Sequence, residues 1–226
     1  MWISNAPILD MVVLVARMSN ATSERPQFSA FLVDTKTPGV TVSKPTELMM
    51  RSAGGVGEFF FDNVRVGSDA LLGGVEGRGL SSGLGNITIA RLATAARMLA
   101  ACELAFVLTV DFVKNRRAFN QRIADFQNTQ FKLAQVKTEI SVGRGYLDEL
   151  LARALSGDVT ITESAMAKLW ISEMEARVMD ECLQLFGGAG FSNEYPISKM
   201  YAFARVHRIY LGTSEIQKIA IARSFL

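Results

Sequence analysis

Residues 123–154 read IADFQNTQFKLAQVKTEISVGRGYLDELLARA, and this stretch decides the class of fold. Apolar or small side chains recur in it every seven residues, at Phe126, Leu133, Ile140, Leu147 and Ala154, with a second row at Val136, Gly143 and Leu150. Such a repeat predicts a long helix that buries one face against other helices. A helix from about Arg122 to Ser156 would be roughly 50 Å long, and a helix of that length requires packing partners in water.

Further segments supply these partners. Residues 86–114 and 162–186 show a helical period, and a short terminal helix is expected after Ser214. On the second of these segments the predicted apolar face consists of Met166, Leu169, Trp170, Glu173, Val178, Cys182 and Leu183. Four helices joined by short loops predict an up-down four-helix bundle.

The first part of the chain has a different pattern. Four of the five prolines fall in its first 45 residues, whereas residues 86–142 contain neither glycine nor proline. Short runs rich in β-branched and aromatic residues predict strands at 11–15, 28–33 and 58–61. This part of the chain is therefore expected to be β.

The boundary between the two parts is marked by glycine-rich residues 73–85, which predict a hinge or turn. We expect an α+β protein, with a partial β-barrel or sheet domain at residues 1–75 and the four-helix bundle at residues 76–226. A strand that begins at Trp2 with nothing before it indicates an open edge or a fragment of a longer protein.

Composition excludes several classes of function. The chain has 24 basic and 22 acidic residues, and its longest basic run is Arg116-Arg117, so neither nucleic acid nor an anionic membrane is an expected partner. Cys102 and Cys182 lie 80 residues apart on helical patterns without metal-ligand spacing, which predicts core thiols and no metal site. The N-terminus lacks a secretory signal, and no apolar run is long enough to span a bilayer, so we expect a soluble cytoplasmic protein.

Three motifs are candidates for binding. Ser214 followed by Gln217 predicts a capping box, so a helix begins there with N–H groups that either are simply capped or bind an anion or a ring carbonyl. Residues 184–191, QLFGGAGF, end a helix, either as a plain glycine cap or as a ligand loop. Arg116 and Phe119 are expected on one helical face, as a solvated charge and a core aromatic or as a phosphate-binding and ring-stacking pair.

In this order, and together with WISN at 2–5 and FDNVRV at 61–66, these motifs resemble the acyl-CoA dehydrogenase family from Trp2 to Arg223. The resemblance implies a β domain and a C-terminal bundle that bind FAD between them. It also implies α,β-dehydrogenation of an acyl-CoA or related acyl thioester, with FAD as hydride acceptor. Subunits of the family pair as homo- or hetero-oligomers, so that one chain supplies part of its neighbour's flavin site.

The resemblance also assigns residues to the cofactor. Trp2 and Ser4 match flavin-ring contacts from the β domain, and Thr213 and Glu215 match those at the terminal helix. The positions that match contacts to a neighbouring subunit's FAD are Arg116, Ala118, Phe119, Gln184 and Gly188. The positions expected beside the substrate are Arg91, Tyr210, Leu211 and Gly212.

The sequence departs from the family at the catalytic base, because Leu211 and Ala90 occupy the two positions where its members carry the carboxylate. Ala202 and Phe203 also stand where an Arg-Asp pair is common. His207, the only histidine, is expected to be structural. No residue is therefore assigned as catalytic, and the alternatives to an active subunit are a base-less subunit of a heteromeric enzyme and a truncated product.

Overall fold

The computed structural model describes residues 1–19, 26–50, 54–80 and 86–226. The chain divides into two compact units, Met1–Asn86 and Ile87–Leu226, and each is described by itself. Part of the predicted glycine-rich hinge, residues 81–85, lies outside the described residues.

The N-terminal unit is built from short antiparallel strand pairs. Its strands are β1 Ile3–Ser4, β2 Met11–Arg17, β3 Phe28–Asp34, β4 Val40–Val42, β5 Val56–Gly57 and β6 Phe59–Phe61. β2 pairs with β3 along seven residues, β1 pairs with β5, and β4 pairs with β6. The three predicted strands are confirmed as β2, β3 and β6, and the described strands close no barrel.

The C-terminal unit, residues 87–226, consists of five helices and one small hairpin. The helices are α1 Ile87–Asn115, α2 Gln127–Ala154, α3 Ile161–Phe186, α4 Pro196–His207 and α5 Ser214–Ala222, and the hairpin strands are β7 Arg117–Ala118 and β8 Gln121–Arg122. The α+β class and the four predicted helices are confirmed. Helix α4 was not predicted, since only Ile197, Ala204 and His207 of its twelve residues are buried and its apolar pattern is weak.

The seven-residue repeat on α2 marks its buried face, as predicted. Val136, Ile140, Gly143, Leu147 and Leu150 are all buried. A Cβ atom at Gly143 would lie 3.0 Å from the Trp170 ring, so glycine allows α2 and α3 to approach closely. The predicted start near residue 122 is wrong: residues 123–125 form a 3₁₀ turn in which the Asp125 carboxylate accepts hydrogen bonds from the Arg122 backbone N–H and guanidinium.

Helices α1 and α3 run parallel. At their amino ends Arg91 Nη1 donates to the Ile161 carbonyl at 3.4 Å, and near their carboxyl ends the Phe112 and Phe186 rings stack with centroids 4.2 Å apart. Both cysteines are buried in the core that these helices share with α2, which confirms the prediction of core thiols. Among the described residues, no helix is both long and apolar enough to cross a membrane.

The predicted face of α3 is partly wrong. Met166 and Trp170 are more than a third exposed, whereas Lys168 and Glu175 are buried with Cys182. These three buried residues follow one another at intervals of seven, so the inward row of α3 begins with a cation and a carboxylate. Hydrophobic periodicity misses such a row because it scores both charges as outward-facing.

We expect Leu147→Ala to lower the free energy of unfolding by about 2–5 kcal/mol, because it deletes a fully buried side chain and leaves a cavity in the bundle. Chemical denaturation followed by circular dichroism measures the change. Leu104→Ala is the matched control on α1, where the side chain is 53% exposed, and should change the stability by less than about 0.5 kcal/mol. Equal losses in both variants would contradict the assignment of the core.

Candidate functional site

The segment between α4 and α5, residues 208–213, contains three of the four positions predicted to lie beside a substrate, and the fourth, Arg91, is on α1. Leu211 and Gly212 both have left-handed backbone conformations, with φ of 53° and 89°. This region is strained for leucine and is populated freely by glycine. The φ of 89° favours glycine at position 212, and a Cβ atom there would also lie 2.6 Å from Gln217 Nε2 and displace that side chain.

Two buried side chains hold this turn by its carbonyl groups. Lys168 Nζ donates to the Gly212 carbonyl at 2.9 Å. Gln217 Nε2 donates to the carbonyls of both Leu211 and Gly212, each at 3.0 Å. We call Lys168 and Gln217 the carbonyl clamp.

The start of α5 differs from the predicted capping box. Thr213, rather than Ser214, is the N-cap, and its Oγ1 accepts from the Ile216 N–H at 3.4 Å. The Ser214 hydroxyl instead donates to Glu173 Oε1 at 2.6 Å, and the Gln217 side chain belongs to the carbonyl clamp. The predicted pairing of Ser214 with Gln217 is therefore wrong, because tertiary partners on α3 and in the turn take both side chains.

Glu173 on α3 also holds this turn, through hydrogen bonds at its two ends. In addition to the Ser214 hydroxyl, it accepts a hydrogen bond from Arg208 Nη1 at 3.2 Å. Burial pushes the pKa of Glu173 upward, but the hydrogen bonds from Ser214 and Arg208 outweigh it and hold the pKa below its usual range. Glu173 is therefore an ionised anchor with both oxygens occupied.

The Lys168 side chain is fully buried, and its electrostatic situation is unfavourable for a charge. Burial, followed by the positive charge of Arg91, lowers the pKa of Lys168 to about 8. Burial also lowers the pKa of Arg91. Within residues 87–226, Arg91 Nε, Arg208 Nε and Gln217 Oε1 are buried without a hydrogen-bond partner, which leaves two donors and one acceptor unused near the turn.

A second network leads from the bundle interior to Tyr210. Glu175 Oε2 lies 2.5 Å from His207 Nδ1, and Arg97 Nη2 lies 3.3 Å from His207 Nε2. Arg97 also donates to the Tyr210 hydroxyl. Since Arg97 is a donor, Nε2 accepts and Nδ1 carries the proton given to Glu175. Both nitrogens of His207 are engaged within the protein, and this supports its expected structural role.

Burial shifts the pKa in the same direction, upward, at both ends of this network. Burial raises the pKa of Glu175 in spite of the hydrogen bond from His207. It also raises the pKa of the Tyr210 hydroxyl, opposed by the charge of Arg97. Tyr210 therefore stays protonated and can donate or accept a hydrogen bond, but it is a poor base at neutral pH.

The residues assigned to a neighbouring subunit's cofactor lie at the carboxyl ends of α1 and α3. Helix α1 ends at Asn115, so Arg116 and Phe119 do not share a helical face as predicted: they belong to a hairpin in which Phe119 has a φ of 51°. Arg116 is exposed, and the Phe119 ring is 89% exposed, so it is not a core aromatic. Ala118 pairs with Gln121 across the hairpin.

The loop after α3 emerges at the same end of the bundle, because the Phe112 and Phe186 rings stack there. Gly187 caps α3 with a φ of 58°, which confirms the predicted glycine cap. Gln184 and Gly188 are exposed, and a Cβ atom at Gly188 would meet nothing within 4 Å. The structure thus brings the hairpin and this loop to one open surface.

This surface is far from the turn at residue 211. Arg91 and the carbonyl clamp lie near the amino ends of α1 and α3, and Arg116 follows the other end of α1. The turn contacts α1 at Arg97 through Tyr210, and at ~1.5 Å per residue the helix from Arg97 to Asn115 spans roughly 27 Å. The two groups of residues therefore form separate sites within one chain.

The remaining assigned residues belong to the N-terminal unit. Trp2 has a φ of 56° and is 65% exposed, and Ser4 lies on β1 opposite Val56. An exposed indole at a chain segment anchored by strand pairing is available to a ligand or another surface.

Sequence reasoning missed Lys168, Glu175 and Arg97, and it gave other roles to Glu173 and Gln217, which also shape the turn. One signal was present: Lys168 and Glu175 precede the buried Cys182 by fourteen and seven residues, so all three fall on one row of the helix. The hydrogen bonds of Arg97 and Gln217 join segments that are far apart or lie within a loop, and no sequence pattern indicates them.

Comparisons with known proteins agree with the resemblance. Residues 1–64 match the acyl-CoA dehydrogenase middle domain, and residues 77–226 match the acyl-CoA dehydrogenase C-terminal domain. The mitochondrial long-chain specific acyl-CoA dehydrogenase of Mus musculus is 37% identical and aligns with 100% of this chain and 52% of its own length. The chain thus spans about half the length of this relative.

Solved structures share the fold. The crystal structure of an acyl-CoA dehydrogenase from Geobacillus kaustophilus superposes with a TM-score of 0.94 at 36% identity, over 99% of this chain and 59% of that one. The structure of PigA with FAD and proline superposes with a TM-score of 0.90 at 25% identity, over 98% of this chain and 57% of that one.

The burial of the Lys168 ammonium leads to a prediction of how the free energy of unfolding depends on pH. Between about pH 8 and 10.5 the unfolded chain keeps the Lys168 proton and the native chain releases it, so the free energy of unfolding rises with pH through this window. The full gain corresponds to at most about 3 kcal/mol. We expect urea denaturation at pH 7 to 10 to show this gain in wild type relative to Lys168→Met.

The control is Lys199→Met, which changes an exposed lysine on α4 whose ammonium stays in water. The stability difference between wild type and this variant should be constant over the same range. A constant difference for Lys168→Met as well would show that Lys168 carries no burial cost.

Proposed function

This chain belongs to the acyl-CoA dehydrogenase family, and we propose that it forms the middle and C-terminal part of a flavoprotein that oxidises an acyl thioester to its 2,3-enoyl form. Members of the family are FAD-dependent. When bound, FAD supplies the acceptor for the hydride that leaves the β-carbon. The proposal concerns the whole protein, of which the relatives are about twice as long.

The residues present fit a flavin dinucleotide. An exposed guanidinium at Arg116 suits a pyrophosphate, and the exposed Phe119 ring offers a face for stacking. The open backbone at Gly188 permits close approach of a ligand. At the other end of the bundle, the amino end of α5 with Thr213 and Glu215 offers N–H groups and a helix dipole that favour negative charge on a ring.

The separation between the residues around Arg116 and those at the amino end of α5 supports an oligomer. Arg116, Ala118 and Phe119 follow the carboxyl end of α1, which is roughly 27 Å along the helix from Arg97, the residue that contacts Tyr210. The family resemblance assigns the two groups to the cofactors of different subunits. We therefore propose that the first group contacts the FAD of a neighbouring subunit, while Trp2, Ser4, Thr213 and Glu215 contact the chain's own flavin ring.

Removal of the α-proton needs a carboxylate, and this chain does not place one at either family position. Leu211 cannot take a proton, and neither can Ala90 next to Arg91. Nearby carboxylates do not replace it, since Glu173 is held by Ser214 and Arg208, and Glu175 by His207. The pKa of Glu215 is held low by its own backbone N–H and the Thr213 hydroxyl, so it is a weak base.

Leu211 is the specific observation in favour of a second candidate function. In a heteromeric acyl-CoA dehydrogenase, a subunit without the base would bind cofactor and partner while the other subunit carries out proton removal. Tyr210, Gly212 and Arg91 would then line a site that binds an acyl thioester without oxidising it.

Absorbance spectroscopy of the purified protein tests cofactor binding. We expect a bound-flavin spectrum, and we expect Arg116→Ala to weaken FAD binding about 10- to 100-fold through loss of a charge-assisted hydrogen bond to phosphate. Arg177→Ala is the control, since it removes an exposed guanidinium whose partner is Glu139 on the bundle surface. A preparation without flavin, both alone and with a co-expressed partner subunit, would reject the proposal.

Anaerobic bleaching of the flavin by a panel of acyl-CoA thioesters distinguishes the two candidates. Rapid bleaching by wild type is expected of the oxidising flavoprotein. If wild type is the base-less subunit, it should bleach slowly or not at all, and Leu211→Glu should bleach at least about 100-fold faster, as supplying a general base contributes 10²–10⁴-fold. Leu211→Gln, of similar size but without a base, should behave like wild type. Rapid turnover by wild type alone would reject the base-less subunit.

A further inference from the structure

The turn at residue 211 is the most strained feature of the C-terminal unit that also lies at the proposed acyl site. Leu211 and Gly212 are consecutive residues in the left-handed region. Glycine adopts it freely, but for leucine the conformation persists only where surrounding contacts determine it. The contacts that fix residue 211 therefore decide where its side chain is presented.

Backbone hydrogen bonds around the turn leave its two carbonyl groups to side chains. The Ile209 and Tyr210 N–H groups donate to the Val206 carbonyl, and the Ser214 N–H donates to the Arg208 carbonyl. The carbonyls of Leu211 and Gly212 accept instead from Lys168 and Gln217. The conformation at 211 and 212 thus depends on donors from α3 and α5.

Burying a lysine at position 168 costs more free energy than burying an apolar side chain that would only fill the space. The lysine side chain is fully buried beside the positive charge of Arg91, and burial lowers its pKa. A methionine of similar length would fill the same volume without desolvating an ammonium. What lysine adds is an N–H donor directed at the Gly212 carbonyl.

We propose that Lys168 is a positioning residue which, together with Gln217, holds Leu211 and Gly212 in the left-handed turn and thereby sets where the residue-211 side chain meets the acyl ligand. The part of this statement that concerns the ligand rests on the proposed function. The part that concerns the turn does not.

The carbonyl clamp acts on backbone atoms, so it does not depend on which side chain residue 211 carries. Both of its members bind peptide oxygens, and neither hydrogen bond uses the Leu211 side chain. A carboxylate introduced at position 211 would therefore be presented by the same turn. It follows that Leu211→Glu requires Lys168 for its full effect.

Amide hydrogen exchange of the unliganded protein tests the turn. We expect Lys168→Met to accelerate exchange in residues 208–214 about 10-fold or more, since a lost hydrogen bond from a charged donor opens the turn, and to leave α2 unchanged. Lys168→Gln keeps a neutral donor and should restore part of the protection. Lys199→Met, the exposed-lysine control on α4, should match wild type.

Gln217→Met is the second variant and removes the other donor of the clamp. It should accelerate exchange in the same residues, whatever the folding yield of Lys168→Met. If either folded methionine variant exchanges residues 208–214 at the wild-type rate, the clamp does not hold the turn and the proposal is overturned.

Flavin bleaching tests the effect on the ligand. In the Leu211→Glu background, Lys168→Met should lower the maximal bleaching rate about 10-fold while the acyl-CoA concentration for half-maximal rate changes little, because misplacement of a base affects the reacting geometry. An unchanged rate would overturn the positioning role. If Leu211→Glu itself does not bleach, the proposed function fails while the exchange result for the turn stands.

Discussion

The hydrogen bonds that polar side chains of α3 make to the segment after α4 are the constraint on which the rest of the candidate site depends. Lys168 holds the turn at residue 212, Glu173 holds Arg208 and Ser214, and Glu175 holds His207. A buried polar group is tolerated only where hydrogen bonds compensate for the lost water, so buried Lys168 and Glu175 also fix their partners. The segment from His207 to Ser214 is consequently shaped by α3, with contributions from Arg97 on α1 and Gln217 on α5, as well as by its own glycine.

Much of the fold could be predicted because a long helix with one buried face has apolar residues at regular intervals in its sequence. The seven-residue rows of α2 and the β-branched runs of β2 and β3 are signals of this kind. The polar row of α3 could not be predicted, since a buried lysine and an exposed one look alike to a hydrophobic pattern. Local motifs failed for a related reason: Ser214 and Gln217 have the spacing of a capping box, but distant partners take both side chains.

The family assignment and the geometry support each other at two separate surfaces. Exposed Phe119 and Arg116 with the glycine loop form one surface, and the turn with Thr213 and Glu215 forms the other. Their separation along α1 agrees with the two sets of cofactor contacts that the family resemblance assigns, one of them to a neighbouring subunit. An oligomer of the kind proposed would need no change in the fold of the chain.

The left-handed turn also has a consequence for substitutions at position 211, where the family carries its catalytic base. Because the hydrogen bonds of the carbonyl clamp are accepted by peptide oxygens, they do not involve the side chain at position 211. An acidic and an aliphatic residue can therefore be held there by the same hydrogen bonds. A single substitution would then add or remove the reactive group.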